Sequence, residues 1–190
     1  NGQTGGIYRD FTQEQGSAVE YLGSFAHTLT TFFCKSATYF ADYPEYFSLY
    51  NGERNPNQLC LTNENVKDIV TAEVLELLET EHNPDADIQI VSLTQHDNYF
   101  YCRCDACKAV DEENGSQSGT MISFVNEIAS RVKEYGYDNV VFDTFAYQYT
   151  RKAPSVVKPR EDVIVRLCSI ECCFGHTLDD PECEQNVDFM

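Results

Sequence analysis

Three carboxylates, Asp97, Asp143 and Glu171, each follow an apolar run: IQIVSL lies just before Asp97, NVVF before Asp143 and VIVRLCSI before Glu171. A polar or ionisable group at the end of such a run is costly unless it has a partner or a task. Two carboxyl groups facing one another across a pocket are what glycosidic cleavage requires. One is kept protonated to donate to the leaving oxygen, and the other acts as nucleophile or base. Asp97, Asp143 and Glu171 are therefore the candidate catalytic groups, with Asp97 or Glu171 as the acid or base. The competing reading is that such a carboxylate only ties neighbouring strand ends together. His27, His96, Asn98 and Tyr147 are suited to holding sugar hydroxyls, and Arg151 to pairing with an acidic sugar. Satisfied structural histidines and a solvated basic loop are the alternatives. Tyr99, Phe100, Tyr101, Phe145 and Tyr149 offer further rings that can stack on sugars or fill gaps.

The nine cysteines form a second chemical signal. Cys102, Cys104 and Cys107 stand at C-x-C-x-x-C spacing, which binds zinc when a fourth ligand folds in, and Cys60, Cys183, His96 and His176 are the available donors. A disulfide to a distant cysteine and free thiols compete with that reading. An odd cysteine count forbids complete pairing within one chain, so the compartment stays open. Cys172 and Cys173 lie beside Glu171, but no local cysteine-protease signature surrounds them.

Bulk composition narrows the partners. With 31 acidic against 13 basic residues, the net charge of -18 repels the phosphate backbone of nucleic acids and anionic membrane surfaces. The same repulsion makes neutral sugars at least as good a match as uronates. No stretch approaches the roughly 20 apolar residues of a membrane-spanning helix, and the first residues lack a basic region followed by an apolar signal core. The chain opens at Asn1 rather than Met, so a processed or truncated start is expected, with residues 1–18 a flexible segment or a remnant of something upstream.

These groups need elements to position them. Residues 23–33, GSFAHTLTTFF, read as a first strand running into His27 and Thr28. Residues 43–63, rich in aromatic and turn residues, read as a long loop over the mouth of the fold. Apolar residues at helical spacing from Val66 to Leu78, with Thr62 or Asn63 as N-cap, predict a helix over residues 63–81. A β-branched strand at residues 88–93 ends in Gln95, His96, Asp97 and Asn98. A cysteine loop and an acidic turn lead to a helix over about residues 118–135, then to strands at residues 139–147 and 162–170. Alternating strands and helices predict parallel βα units buried on both faces. An open doubly wound sheet is the alternative; against it, no glycine-rich phosphate loop follows any strand, so neither the dinucleotide fingerprint nor the P-loop is present. The fold expected is a partial TIM (β/α)₈ barrel, because a complete one needs roughly 250 residues. In such folds the working groups gather at the C-terminal ends of the strands.

The succession HTLTTFF, YPEYFSLYNGER, QLCLTN, VSLTQHDN, CRCDAC, SGTMISFVNEIA, FDTFAYQYTRKAP and VIVRLCSIECCFGHTLDDPEC resembles a bacterial domain family of unknown function. That family is related to barrel glycoside hydrolases of the α-glucuronidase and β-hexosaminidase type. The resemblance runs from Gly23 to Cys183 and makes residues 1–190 a single domain. It implies a (β/α)₈ barrel, secreted or periplasmic work on carbohydrate, and rim residues at His27, Asp97, Asn98, Asp143 and Glu171. The chain departs from a complete barrel in being short, so missing strands would supply part of the site. Activity on glycosidic bonds and non-catalytic carbohydrate binding within a larger protein are both expected outcomes. Half a barrel would also expose apolar edges that a second copy or the missing segment covers. No cofactor is required by this chemistry, and the cysteine loop is a candidate site for a structural zinc.

Overall fold

The structure of the protein, a computed structural model, describes residues 20–189. The expectation for residues 1–18 lies outside the described residues. Four strands, β1 (Glu20–Tyr21), β4 (Gln89–Ser92), β5 (Val140–Ala146) and β6 (Val163–Leu167), form one parallel sheet in the order β1-β4-β5-β6. A separate antiparallel hairpin pairs β2 (Phe47–Tyr50) with β3 (Glu53–Leu59). The helices are α1 (Ser36–Tyr39), α2 (Glu64–Glu81), α3 (Asp105–Asn114) and α4 (Ser118–Lys133). The protein is thus a mixed α/β fold with a parallel sheet. Among the described residues the sheet is open, with β1 and β6 at its edges, and it closes into no barrel.

Period-two alternation sorts the sheet into two chemically different faces. Val91, Leu93, Val140, Phe142 and Val163 join the main core with Val66, Val70, Val74 and Leu78 of α2 and Phe124, Val125, Ile128 and Val132 of α4. The intervening positions carry Ser92, Asp143 and Phe145 to the opposite face, where Arg166 of β6 and Tyr21 of β1 meet Asp143. One face is packed with apolar side chains and the other carries Asp143, Arg166 and Tyr21.

Local chemistry sets the helix ends. The side chain of Asn63 accepts from the amides of Asn65 (2.9 Å) and Val66 (3.4 Å), capping α2 where the sequence placed its start. Arg131 of α4 spans to Glu64 and Asp68 of α2, locking the two helices on their solvent side. Gly115 ends α3 in the left-handed region at φ 65°, a position that glycine occupies without strain. Gly119 then lets α4 approach α3 closely, since a Cβ there would lie 2.4 Å from the Cβ of Asn114. Buried Asn114 in turn holds the segment after β5, its backbone carbonyl accepting from the Ser155 amide and its Oδ1 from the Val157 amide.

Three expectations need correction. Residues 23–33 are not a strand: β1 ends at Tyr21, a bend follows, and Leu29–Phe33 form a π-helical turn. The apolar residues there pack around a loop held by side-chain hydrogen bonds instead of a ladder. Residues 43–63 are not an irregular loop, because Asn51 and Gly52, both at positive φ (52° and 86°), make the tight turn of the β2–β3 hairpin. The cysteine loop and acidic turn contain α3, whose polar DACKAVDEEN sequence hides its helical period. Helix α2, helix α4 and strands β4, β5 and β6 lie where the sequence placed them. Among the described residues no helix is long and apolar enough to cross a membrane.

Candidate functional site

At the C-terminal end of β4 the chain stays buried through Leu93, Thr94 and Gln95 before it emerges at His96. Thr28 fastens the preceding loop to this strand end. Its hydroxyl donates to the Ser92 carbonyl at 2.5 Å and accepts from the Thr94 amide at 3.1 Å. Ala26 and His27 just before it both sit at positive φ (65° and 56°), strained for residues with a Cβ, and the Thr28 ties hold them there. Buried Gln95 reaches the other way, donating from Nε2 to Thr150 Oγ1 at 2.6 Å and to the Tyr147 carbonyl at 3.2 Å. Gln58, at the end of the hairpin, donates to the His96 carbonyl and accepts from its amide.

These ties bring His27 and His96 together with their rings stacked, centroids 5.5 Å apart and planes 19° from parallel. The hydrogen bonds assign complementary tautomers. His27 Nδ1 lies 2.8 Å from the Gln95 carbonyl, which only accepts, so His27 carries its proton on Nδ1 and presents a bare Nε2. His96 Nδ1 accepts from the Asp97 amide at 2.9 Å, so its proton sits on Nε2. One ring therefore offers an acceptor and its neighbour a donor. Burial, and then the neighbouring His27, hold the His96 imidazole below its ordinary range, against the opposing pull of Asp97.

Asp97 is exposed, and its Oδ1 accepts from Tyr147 Oη and Gln148 Nε2, each at 2.7 Å. Burial and the hydrogen bond to Asp97 push the Tyr147 phenol up to about 12, so it stays a donor. Gln148 takes up its position at positive φ (50°). The Asn98 side chain accepts from Gln58 and from the Phe100 amide, and it is half-buried. His27, His96, Asp97, Asn98 and Tyr147 thus share one hydrogen-bonded rim at the ends of β4 and β5.

The other two carboxylates are occupied differently. Asp143 lies within β5, three residues before its end, and is completely buried. Its Oδ2 accepts from Tyr21 Oη at 2.9 Å and from Arg166 Nε and Nη2 at 3.3 and 3.2 Å, and Arg166 also contacts the Tyr21 hydroxyl. Burial and the Asp143 carboxylate push the Tyr21 phenol well above its usual range, which keeps it protonated as a donor. Glu171, beyond β6, forms an ion pair with Arg151, whose guanidinium also lies 4.4 Å over the Phe189 ring. Arg151 therefore meets an acidic side chain of its own chain.

A separate centre forms where the hairpin meets the start of α3. The sulfurs of Cys60, Cys102, Cys104 and Cys107 all lie within 4.8 Å of one another, with Cys60 3.6 Å from Cys104 and 3.9 Å from Cys107. Of the four donors considered from sequence, Cys60 completes the set, whereas His176 and Cys183 belong to another cluster. The Leu49 amide donates to Cys102 Sγ at 3.3 Å and the Arg103 amide to the Leu49 carbonyl at 2.7 Å, binding the cysteine loop to β2. Hydrogen bonds from Cys102 and Cys107 pull the Cys60 thiol far down against the effect of burial. Hydrogen bonds to Cys102 and Cys60, then burial, push Cys107 the opposite way. Four sulfurs thus crowd around charge that a cation would neutralise. A cleft lined by Tyr101, Arg103, Lys108, Asp111, Glu112 and Gln117 opens beside this centre. Arg103 stands over the rings of Tyr50 (4.3 Å) and Tyr101 (4.9 Å).

Gln58 and Gln148 escape sequence reading, because nothing in a glutamine's neighbours announces a long-range tie, and Gln95, legible as part of the polar strand end, gives no sign there of its bond to Thr150. Tyr21 and Arg166 were readable only once the sheet order put β1 and β6 on either side of the central pair. Fold and site together define a mixed α/β chain that carries a polar strand-end rim and a four-cysteine centre. It belongs to the family described as domain of unknown function DUF4838, whose profile matches residues 4–190. Comparison with curated proteins gives no match.

Proposed function

We propose that this chain is the carbohydrate-contacting part of a glycoside-hydrolase-like partial (β/α)₈ barrel, and that it binds sugar at the rim formed by His27, His96, Asp97, Asn98 and Tyr147. The observation that carries the reading is Asp97, an exposed carboxylate held in place by Tyr147 and Gln148 beside two imidazoles of opposite hydrogen-bonding sense. A sugar's vicinal hydroxyls each donate and accept, and such a row of fixed acceptors and donors matches them. Phe25, half exposed beside Phe145, offers a ring at the same end of the sheet. The reading of a partial barrel is supported by the parallel strand order, by α2 and α4 packed on one face of the sheet, and by exposed Ile164, Val165 and Leu167 along β6. A further βα unit or a second copy would cover that edge.

Hydrolysis needs a second carboxyl group near the first. Asp143 is spent on Tyr21 and Arg166 and Glu171 on Arg151, which favours binding over cleavage for this chain alone. The test is calorimetric titration of the chain with neutral and uronic-acid oligosaccharides, alongside turnover of aryl glycosides. Binding that is lost in Asp97→Asn and His96→Ala supports the reading, and no binding across the panel overturns it. Turnover lost in Asp97→Asn and in Glu171→Gln would instead assign hydrolysis to that pair.

The four-cysteine centre completes the proposal as a structural zinc site. Zinc–sulfur bonds of about 2.3 Å in a tetrahedron put the sulfurs about 3.8 Å apart, and the Cys60 distances of 3.6 and 3.9 Å bracket that value. The cation would join β3 to the start of α3 and offset the charge crowding. Zinc content by mass spectrometry, with Cys102→Ser as control, checks it.

A further inference from the structure

The segment after β6, from Cys168 to Phe189, contains one 3₁₀ turn and otherwise no regular element. It nevertheless buries Cys172, Cys183 and Asn186. Asn186, fully buried, organises the segment through its side chain. Its Oδ1 accepts from the Cys173 amide at 2.7 Å, and its Nδ2 donates to the carbonyls of Cys173 (3.2 Å) and Thr177 (2.9 Å). The Cys183 amide donates to the Asp180 carbonyl at 3.2 Å, closing the turn that leads into Cys183. The result gathers Cys173 Sγ, His176 Nδ1 and Cys183 Sγ within 4.8 Å of one another.

We infer that Cys173, His176 and Cys183 form a second metal site, independent of the four-cysteine centre and of the sugar rim, that takes a thiophilic divalent cation of the zinc class. Cys173 Sγ and His176 Nδ1 are 3.2 Å apart. Tetrahedral zinc with bonds of about 2.3 Å to sulfur and about 2.0 Å to nitrogen separates those atoms by about 3.5 Å, so the pair needs only a small movement to receive the ion. Two thiolates and one neutral imidazole are a borderline-soft donor set that selects zinc over calcium or magnesium. Binding releases the two thiol protons to solvent, and the two thiolates balance the cation's charge. With three protein donors among the described residues, the fourth position is open on an exposed side, where water or an exchangeable ligand completes the tetrahedron. The cation also adds a second anchor, beside buried Asn186, to a segment with little regular structure. The coil carries Glu171, whose backbone carbonyl accepts from Gln185 and whose carboxylate meets Arg151.

The test is zinc stoichiometry by native mass spectrometry on the full chain, with Cys183→Ser, His176→Ala and Cys102→Ser compared with wild type. The expected result is loss of one zinc ion in Cys183→Ser and His176→Ala that leaves the Cys102-dependent ion in place. Because a variant in this coil can fold poorly, wild-type protein is also alkylated under native conditions before and after chelation. Cys173 and Cys183 are expected to be protected until zinc is removed. Unchanged zinc content in both variants, rapid alkylation of Cys173 in the zinc-loaded protein, or a Cys173–Cys183 disulfide in the intact mass would each overturn the site. Failure of the four-cysteine proposal would appear separately, as zinc content insensitive to Cys102→Ser.

Discussion

Replacing Arg166 with methionine keeps the aliphatic stem and deletes the guanidinium that faces Asp143. The carboxylate is completely buried while 37% of the Arg166 side chain is exposed, so water screens one partner only. Breaking a fully buried pair costs about 3–5 kcal/mol, and the exposure of Arg166 lowers the expected loss to about 2–3 kcal/mol. Tyr21 Oη still donates to Asp143 at 2.9 Å and keeps the carboxylate from being wholly abandoned. Adding Tyr21→Phe removes that last donor and should cost about 1.5–3 kcal/mol more. Urea unfolding with an unchanged slope reads both losses, and the double variant Arg166→Met/Asp143→Leu should recover most of the stability by removing the charge. A single Arg166→Met variant within about 0.5 kcal/mol of wild type would refute the reasoning. Asp143 would then be free of the structural duty that separates it from Asp97.

Acidification acts through His96, whose folded imidazole titrates below the unfolded value of about 6.5. The folded state binds fewer protons there, so its contribution is whole above about pH 6.5 and is lost as pH falls through the folded value; a pH series of unfolding curves should show this slope, and His96→Asn should flatten it. Gly119→Ala drives a Cβ to 2.4 Å from that of Asn114 and should cost about 1–3 kcal/mol, read as a lower Tm. Asn63→Ala removes the α2 cap and should cost about 1 kcal/mol in urea unfolding. Chelation of zinc should lower Tm further in wild type than in Cys102→Ser, which retains only the ion of the C-terminal coil.

Long periodic elements were legible because each residue testifies to the same period. Val66 to Leu78 announce α2, Met121 to Val132 announce α4, and the β-branched runs announce β4, β5 and β6. The hairpin was missed although Asn51 and Gly52 carry its signal, since the aromatic and proline-bearing flanks lack clean alternation. Helix α3 was hidden by polarity, although Asp105 in its first turn and Gly115 at its end mark its limits. At the site, residues 95–98 were legible as the polar end of an apolar strand. The fate of Asp143 and Glu171 was not, because it depends on Arg166 and Arg151 arriving from elsewhere in the chain. Cys60 was one of four donors of equal standing in sequence, and only the hairpin's return path distinguishes it.

The hairpin's last strand carries Gln58, which grips both ends of the His96 peptide unit, and it delivers Cys60 to the sulfur cluster two residues later. So short a tether makes the two sites thermodynamic neighbours. On the function proposed above, any factor by which a cation at the sulfurs tightens sugar binding would equal the factor by which sugar tightens the cation, so either ligand would report on the other.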